Sequence, residues 1–520
     1  MELDVGIVGG GLAGNLLARQ LRRRLPDLRI GVFEKATESS YKVGEATVEI
    51  AASYLIRRQG LTGYLYENHL PKNGLRYFFD REDRSCALEE MSEIGTINLP
   101  FHPAFQIDRE RLESDLADMN RREGIHLRTG ARVHDVALGR EGAVHRFAVT
   151  DAGGTTACSA RWLVDAAGRT GLVARLEGLR VREEVHRIGS VWGRFEGVAD
   201  IDDLGSEAWR ARVRHTARRL STLHLWYPGY WFWFIPLRGG VTSVGVTGEI
   251  VNRRRELRTP EGFRTFLAEH RAIGALMENA KPVDLGSYEN IAYGTKRFFH
   301  PDRWGLTGES ATAADPLYSP GFDFIALEND FLTDLVARDH AGEGPVELAE
   351  RCALYDEFMQ FRHAAAMWLY RGQYGTSGSY ELARLKWDFD IGCYYNLWAS
   401  AYLCDQHLDT AFLREQLRLR PYVENALRAF ADLFQRVEET LRERGDYFRA
   451  NTGRFYYGLE NIDFAEEVGT ERSRRAVLDK CGEIFNRTRA EALALMGRVE
   501  SADAVEPLPL TSFLSGRPLA

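Results

Sequence analysis

Apolar residues open the chain in a short unbroken run, Val5-Gly6-Ile7-Val8, which reads as a strand buried on both faces. Residues 12–23 then place apolar positions at helical spacing, and residues 29–34 return to a strand, so the first 35 residues form a βαβ unit. Helical and turn-rich stretches follow to about residue 115. A strand-rich tract comes next, at residues 131–136, 146–150 and 161–166. From about 185 to 250 alternating apolar residues predict a second sheet over a cleft, with strands at 223–226, 230–235 and 242–246. Residues 303–338 revert to strand then helix, turning at Gly308 and helical over 324–336. Beyond 345 the pattern is almost wholly helical, most clearly at 422–444. The expected class is α/β, with a Rossmann-like nucleotide-binding lobe, a second β-sheet domain and a helical C-terminal region. The expected division is a core at 1–340, a helical region at 345–505 and a loose tail at 506–520. Within the core, 1–80, 105–180 and 290–340 are assigned mainly to the nucleotide lobe, and 185–285 to the substrate-side sheet.

Composition narrows this only a little. With 520 residues the chain is too long for one simple core. A net charge of −8 gives no electrostatic reason to bind nucleic acid. The six cysteines are scattered without a CxxC, which predicts free thiols in a reducing compartment. The acidic N-terminus runs straight into a strand, and the apolar stretch 391–404 is too short to span a bilayer. A cytoplasmic protein with no membrane partner is expected. His102, His224 and His363 lack ligand-like spacing, so no metal site is expected. Nothing in the pattern fixes an oligomeric state.

Gly9-Gly10-Gly11-Leu12-Ala13-Gly14 satisfies GxGxxG through Gly9, Gly11 and Gly14. The first glycine makes the turn, the second admits a pyrophosphate, and the third lets the helix pack close. Glu34, followed by Lys35, ends the second strand, where a carboxylate can accept from a ribose hydroxyl. The motif alone does not separate FAD from NAD. Two later segments do: Val164-Asp165-Ala166-Ala167-Gly168-Arg169 and Trp304-Gly305-Leu306-Thr307-Gly308-Glu309 resemble FAD-contacting segments of the glutathione reductase-like flavoproteins. In that family the last segment carries Gly-Asp; here it is Gly308-Glu309, one methylene longer. Arg109 resembles that family's cofactor-facing arginine, and a solvated charge at a helix start reads equally well. Val133 in the strand-rich tract completes the expected cofactor contacts. No second GxGxxG follows for NADPH, which points to a separate flavin reductase, although single-Rossmann hydroxylases do bind NADPH transiently.

Three more segments resemble the flavin-dependent halogenases. Tyr41-Lys42-Val43-Gly44-Glu45-Ala46-Thr47 resembles their loop over the isoalloxazine, with Val43, Gly44, Glu45, Ala46 and Thr47 at the cofactor. Pro71-Lys72-Asn73-Gly74-Leu75-Arg76-Tyr77-Phe78 resembles the Lys-x-Gly-aromatic stretch carrying their essential lysine, and Trp231-Phe232-Trp233-Phe234-Ile235-Pro236 resembles their Trp-x-Trp-x-Ile-Pro signature. The resemblance covers residues 4 to about 340. It implies bound FAD used as FADH2, a halide co-substrate, and hypohalous acid delivered by Lys72 to an electron-rich aromatic substrate, free or on a carrier protein. Local sequence alone reads Lys72 as a surface lysine in a turn, and Lys42 is its local rival. Trp231 and Trp233 would share one face and wall off the flavin, a role compatible with core packing. The loop from Asp315 to Gly321 resembles the halide side, with Tyr318, Ser319, Pro320 and Gly321 as candidate substrate or halide contacts. Pro320 removes one amide from a halide nest, and Tyr318 stands where tryptophan halogenases place a glutamate, which disfavours free tryptophan. The aromatic tract Trp387, Phe389, Tyr394, Tyr395, Trp398 and Tyr402 fits either core packing, the preferred reading, or a substrate tunnel. The alternatives to a halogenase are an FAD monooxygenase of the same fold and a non-catalytic flavoprotein.

Overall fold

A computed structural model describes residues 1–458 and 462–519. Its first sheet is centred on Glu2–Val8, which runs parallel to Ile30–Phe33 on one side and to Gly154–Asp165 on the other. Strand Trp304–Leu306 extends it beyond Gly154–Asp165, and His126–Arg128 closes the opposite end. The central strand carries Val5 and Ile7 with no exposure, as a parallel strand covered on both faces requires. Helix Leu12–Arg24 begins at Gly11, which offers no side-chain cap, so the first-turn amides are left for a ligand. Gly14 lets this helix lie against the turn, since a Cβ there would sit 2.1 Å from the Gly9 carbonyl oxygen.

Among the described residues the second sheet has nine strands, and its centre follows from two segments whose pattern hid them. Leu75–Phe79 pairs in parallel with Thr222–Tyr227 and antiparallel with Ser92–Gly95. Both fall where helices and turns were expected, and Leu75–Phe79 lies inside the stretch assigned mainly to the nucleotide lobe. Arg76 and Glu93 break the apolar alternation there. In the fold they form a buried ion pair, which Arg218 joins at 2.9 Å from Glu93. Tyr230–Pro236 runs between Thr222–Tyr227 and Val241–Gly248. Its two faces part as the period of two demands: Trp231 and Trp233 enter the core shared with the nucleotide lobe, and Phe232 and Phe234 enter a separate core.

The C-terminal helices share the first core. Thr410–Glu443 begins well before residue 422, where the helical pattern is clearest, and runs through Pro421. Tyr380–Cys393 continues into a π-helical turn over Tyr394–Ala399. The expected loose tail is instead docked: Leu510–Leu514 is helical, and Phe513 is buried against Phe430 and Phe485. Ala520, the last residue of that tail, lies outside the described residues.

Candidate active site

The glycine loop, Glu34 and the loop at 43–47 converge at the C-terminal end of the first sheet. Gly9 adopts φ +106, and a Cβ there would lie 2.3 Å from the Ala166 carbonyl oxygen, so only glycine makes this turn. Glu34 accepts from the Gly10 and Ala36 amides at 2.7 and 2.9 Å, fixing its carboxylate beside the loop. Leu12 and Ala13 open the helix behind it, and a Cβ at Gly308 (φ +63) would lie 3.1 Å from that of Ala13. The Glu34 carbonyl accepts from Ala131, two residues before Val133, and Lys35 reaches Thr170 at 3.5 Å. These features fit a dinucleotide: an uncapped helix terminus, a turn open to phosphate at Gly11, and a carboxylate at the strand end.

The 43–47 loop is strapped down from two directions. Thr47 exchanges hydrogen bonds with Phe105, and Ala46 bridges Gln106. Arg109 donates to the Val43 and Gly44 carbonyls at 3.2 and 3.4 Å and pairs with Glu113. Lys42 also pairs with Glu113, which ties it to loop positioning. Glu45 is buried with Arg194 at 3.4 Å and Ser243 beside it, and burial raises its carboxyl pKa.

Two expected cofactor carboxylates are engaged elsewhere. Asp165 is fully buried and accepts from Ala167, Val173, Ala174 and Ser310, so it knits the strand end to the next turn and offers no free oxygen. It positions Gly168 (φ +62), whose carbonyl also takes a bond from Ser310. Glu309 turns outward to Arg169 at 3.5 Å. Its neighbour in space is Glu328, which sequence reading missed. Glu328 is fully buried, accepts from the Gly308 amide at 2.6 Å, and leaves Oε1 without a hydrogen-bond partner. Burial raises its pKa to about 8. Between the ordinary glutamate value and 8 the folded protein holds a proton that the unfolded chain lacks, so stability falls as pH rises. Glu328→Gln is expected to remove that slope, up to about 1.4 kcal/mol per pH unit, in denaturant titrations of the FAD-loaded protein between roughly pH 5 and 8.

Lys72 is not at the surface. It is 1% exposed and donates to the Thr47 carbonyl at 2.7 Å. The Pro-Lys-Asn-Gly segment is held inside because Leu70–Pro71 pairs with Phe105–Gln106 and the Asn73 amide bonds Leu220. Burial lowers the Lys72 pKa to about 8, against the opposing influence of Glu49 and Asp323. The lysine lines a cavity of about 540 Å³ between the second sheet and the C-terminal helices. Asp323, another residue without a sequence signal, faces the same space. Its carboxyl accepts from Ala51 and Tyr394, and burial raises its pKa to about 7. Trp387, Tyr394, Tyr395 and Trp398 line the cavity, whereas Phe389 packs on Phe430 and Tyr402 stacks on His407. The aromatic tract is therefore divided between wall and core, and the π-helical turn falls inside it.

Trp231 and Trp233 are buried and are not among the cavity-lining residues, so they are not direct substrate contacts there. Trp231 reaches the 315–321 loop and Trp233 the 43–47 loop, each through one hydroxyl. Trp231 donates to Tyr374, whose hydroxyl bonds Asp315 at 2.6 Å, and Trp233 donates to Ser243, beside Glu45. Between Trp231 and Tyr77 lies His224, kept neutral by burial and by Lys72, with its pKa lowered to about 3. In the 315–321 loop, Tyr318 donates to Asp390 at 2.8 Å and Ser319 takes a left-handed conformation. Pro320 is the first residue of helix Pro320–His340 and lines the cavity. At that position a proline removes no bond the helix would make, and Gly321 beyond it stands open, with no atom within 4 Å of a built Cβ.

Residues 2–217 match the FAD binding domain family model. The flavin-dependent halogenase chlA of Dictyostelium discoideum is 26% identical over 442 residues, 79% of this chain and 72% of that protein. A 1H-pyrrole-2-carbonyl-[peptidyl-carrier protein] chlorinase of Pseudomonas fluorescens is 25% identical over 63% of this chain and 74% of its own length. These similarities support placing the chain among the flavin-dependent halogenases. The crystal structure of halogenase PltM with phloroglucinol and FAD shares the fold, with a TM-score of 0.69 at 18% identity over 96% of this chain and 99% of that one. This family member is accordingly an FAD-dependent enzyme. No helix among its described residues is long and apolar enough to cross a membrane.

Proposed function

We propose that this family member halogenates an electron-rich aromatic ring in the 540 Å³ cavity, using reduced FAD, dioxygen and a halide. The observation that carries this reading is a buried lysine on the cavity wall, one residue pair away from the loop at 43–47 through Thr47. FAD, when bound and reduced, would supply two electrons that take dioxygen to the peroxide level, and that peroxide-level oxygen would oxidise the halide to hypohalous acid. The chain's own task is to hold the resulting hypohalous acid and the ring. With one Lys72 N–H fixed on the Thr47 carbonyl, two remain in the ammonium form to donate to the oxidised halogen species. The open first turn at Gly321 supplies amides suited to an anion. The indoles of Trp231 and Trp233, locked by Tyr374 and Ser243, act as a rigid packing layer.

Tyr318 spends its hydroxyl on Asp390, and no loop glutamate is present to polarise an indole N–H. A phenol or pyrrole, already electron-rich, fits better than free tryptophan. Of the three proteins named above, one acts, by its description, on a carrier-bound pyrrole and another is in complex with phloroglucinol, which supports both delivery modes. A separate reductase would supply FADH2 in the cytoplasm, since only one GxGxxG unit is present.

Incubation with FAD, a flavin reductase, NADH, oxygen and bromide or chloride is expected to give halogenated phenols detectable by mass spectrometry. Hydroxylated product formed without halide, driven by NADPH consumption of the lone chain, would instead assign the monooxygenase reading.

A further inference from the structure

Arg362 stands on helix Pro345–Trp368 and lines the cavity that holds Lys72. Its side chain is largely withdrawn from solvent, with the residue 6% exposed. The guanidinium lies over the Trp398 ring at 3.6 Å. Among the described residues it makes no hydrogen bond and no ion pair. Its nitrogens are nevertheless absent from the sealed, partnerless polar atoms of the interior, so they retain accessible surface where Arg362 borders this cavity and a much smaller pocket beside Ile50, Trp398 and Gln416.

A buried guanidinium with five N–H donors and no acceptor is costly unless something arrives to accept them. Asp323 is the neighbouring carboxyl, but it is committed to Ala51 and Tyr394 and burial drives it toward the neutral form. Asp390 is already paired with Lys386 and Tyr318. Asp323 attracts Arg362 electrostatically, but neither carboxylate forms an ion pair with it among the described residues. The burial cost is visible in Arg362 itself, whose pKa is lowered to about 10.

We infer that Arg362 binds the carboxylate of an aromatic acid substrate, placing its ring among Trp387, Tyr395 and Trp398 with Lys72 on the same cavity wall. The planar fork of a guanidinium matches a carboxylate through two parallel hydrogen bonds, and the Trp398 face holds the fork flat. This assignment names the substrate class of the cavity and rests on reading that cavity as the substrate site.

The test measures binding, not turnover, so it stands apart from the halogenation assay. FAD-loaded protein is titrated calorimetrically, without halide or reductase, with 4-hydroxybenzoate and with its methyl ester. The acid is expected to bind wild type about 10- to 100-fold more tightly than the ester. Arg362→Gln should reduce that preference to within about threefold, and Arg362→Lys should keep part of it. Retained FAD and an unchanged melting profile would show that both variants fold. Equal binding of acid and ester to wild type would overturn the assignment. So would an acid preference that survives Arg362→Gln. An Arg362-dependent acid preference in a protein that yields no halogenated product would uphold this site while refuting the activity.

Discussion

Lys72→Met is expected to cut halogenated product by about 10³-fold and, at the same time, to make the protein more stable at neutral pH. The two effects have one cause. Lys72 has its pKa lowered to about 8 from an ordinary 10.5, because its burial disfavours the charged form. Its stabilising contribution is complete above 10.5 and is lost as pH falls toward 8, so at pH 7 the native state carries the penalty in full. Methionine removes up to roughly 3 kcal/mol of that penalty, less the lost hydrogen bond to Thr47. FAD binding should be unchanged, because the lysine touches the 43–47 loop only through one carbonyl. If the ammonium is the working form, the wild-type rate should fall as pH climbs through about 8. Thermal melts at pH 7 and product assays across pH 6–9.5 check these points. A variant that lost activity together with stability would reassign Lys72 to a structural role.

That lysine also marks the limit of what could be read from the chain. Wherever burial was imposed by neighbours in sequence, the reading held: Val5 to Val8, the helix after Gly11 and the strand at 30–33 lie where apolar periodicity put them. Lys72 lies in a Pro-Lys-Asn-Gly turn whose local chemistry favours the surface. Pairing with Ala104, Phe105 and Leu220, distant in sequence, draws it inward. Arg76 and Glu93 hide their strands for the same reason, since a local window gives no sign of the buried pair that forms once Arg218 and the opposing strand are in place. Arg362 and Asp323 are each one charge among several on their helices, and which of those charges faces the cavity is set by packing that no local window reports. Phe513 is the converse case: one aromatic in a polar tail, docked because Phe430 and Phe485 leave a place for it.

The glycine fingerprint can be dissected by two variants that local sequence treats alike. At Gly14 a methyl group would sit 2.1 Å from the Gly9 carbonyl oxygen and 3.2 Å from the Ala166 Cβ. Both are fixed parts of the turn, so helix Leu12–Arg24 must lift from the sheet. Gly14→Ala is expected to lose about 1–3 kcal/mol of stability before any cofactor is added, and to be purified without FAD. At Gly11 the nearest atoms to a methyl are the side-chain ends of Glu113 and Lys42, at 3.7 and 3.9 Å, and φ is −76, which alanine adopts freely. Gly11→Ala should therefore leave the stability of the flavin-free protein within about 0.5 kcal/mol of wild type. Its methyl group would instead occupy the approach to the uncapped helix terminus, where the pyrophosphate must come close to backbone. FAD affinity should fall at least tenfold, read by fluorescence titration of the flavin-free protein. Undiminished affinity in Gly11→Ala would mean that the phosphates approach somewhere other than this turn, and the placement of the cofactor along the first sheet would have to be redrawn.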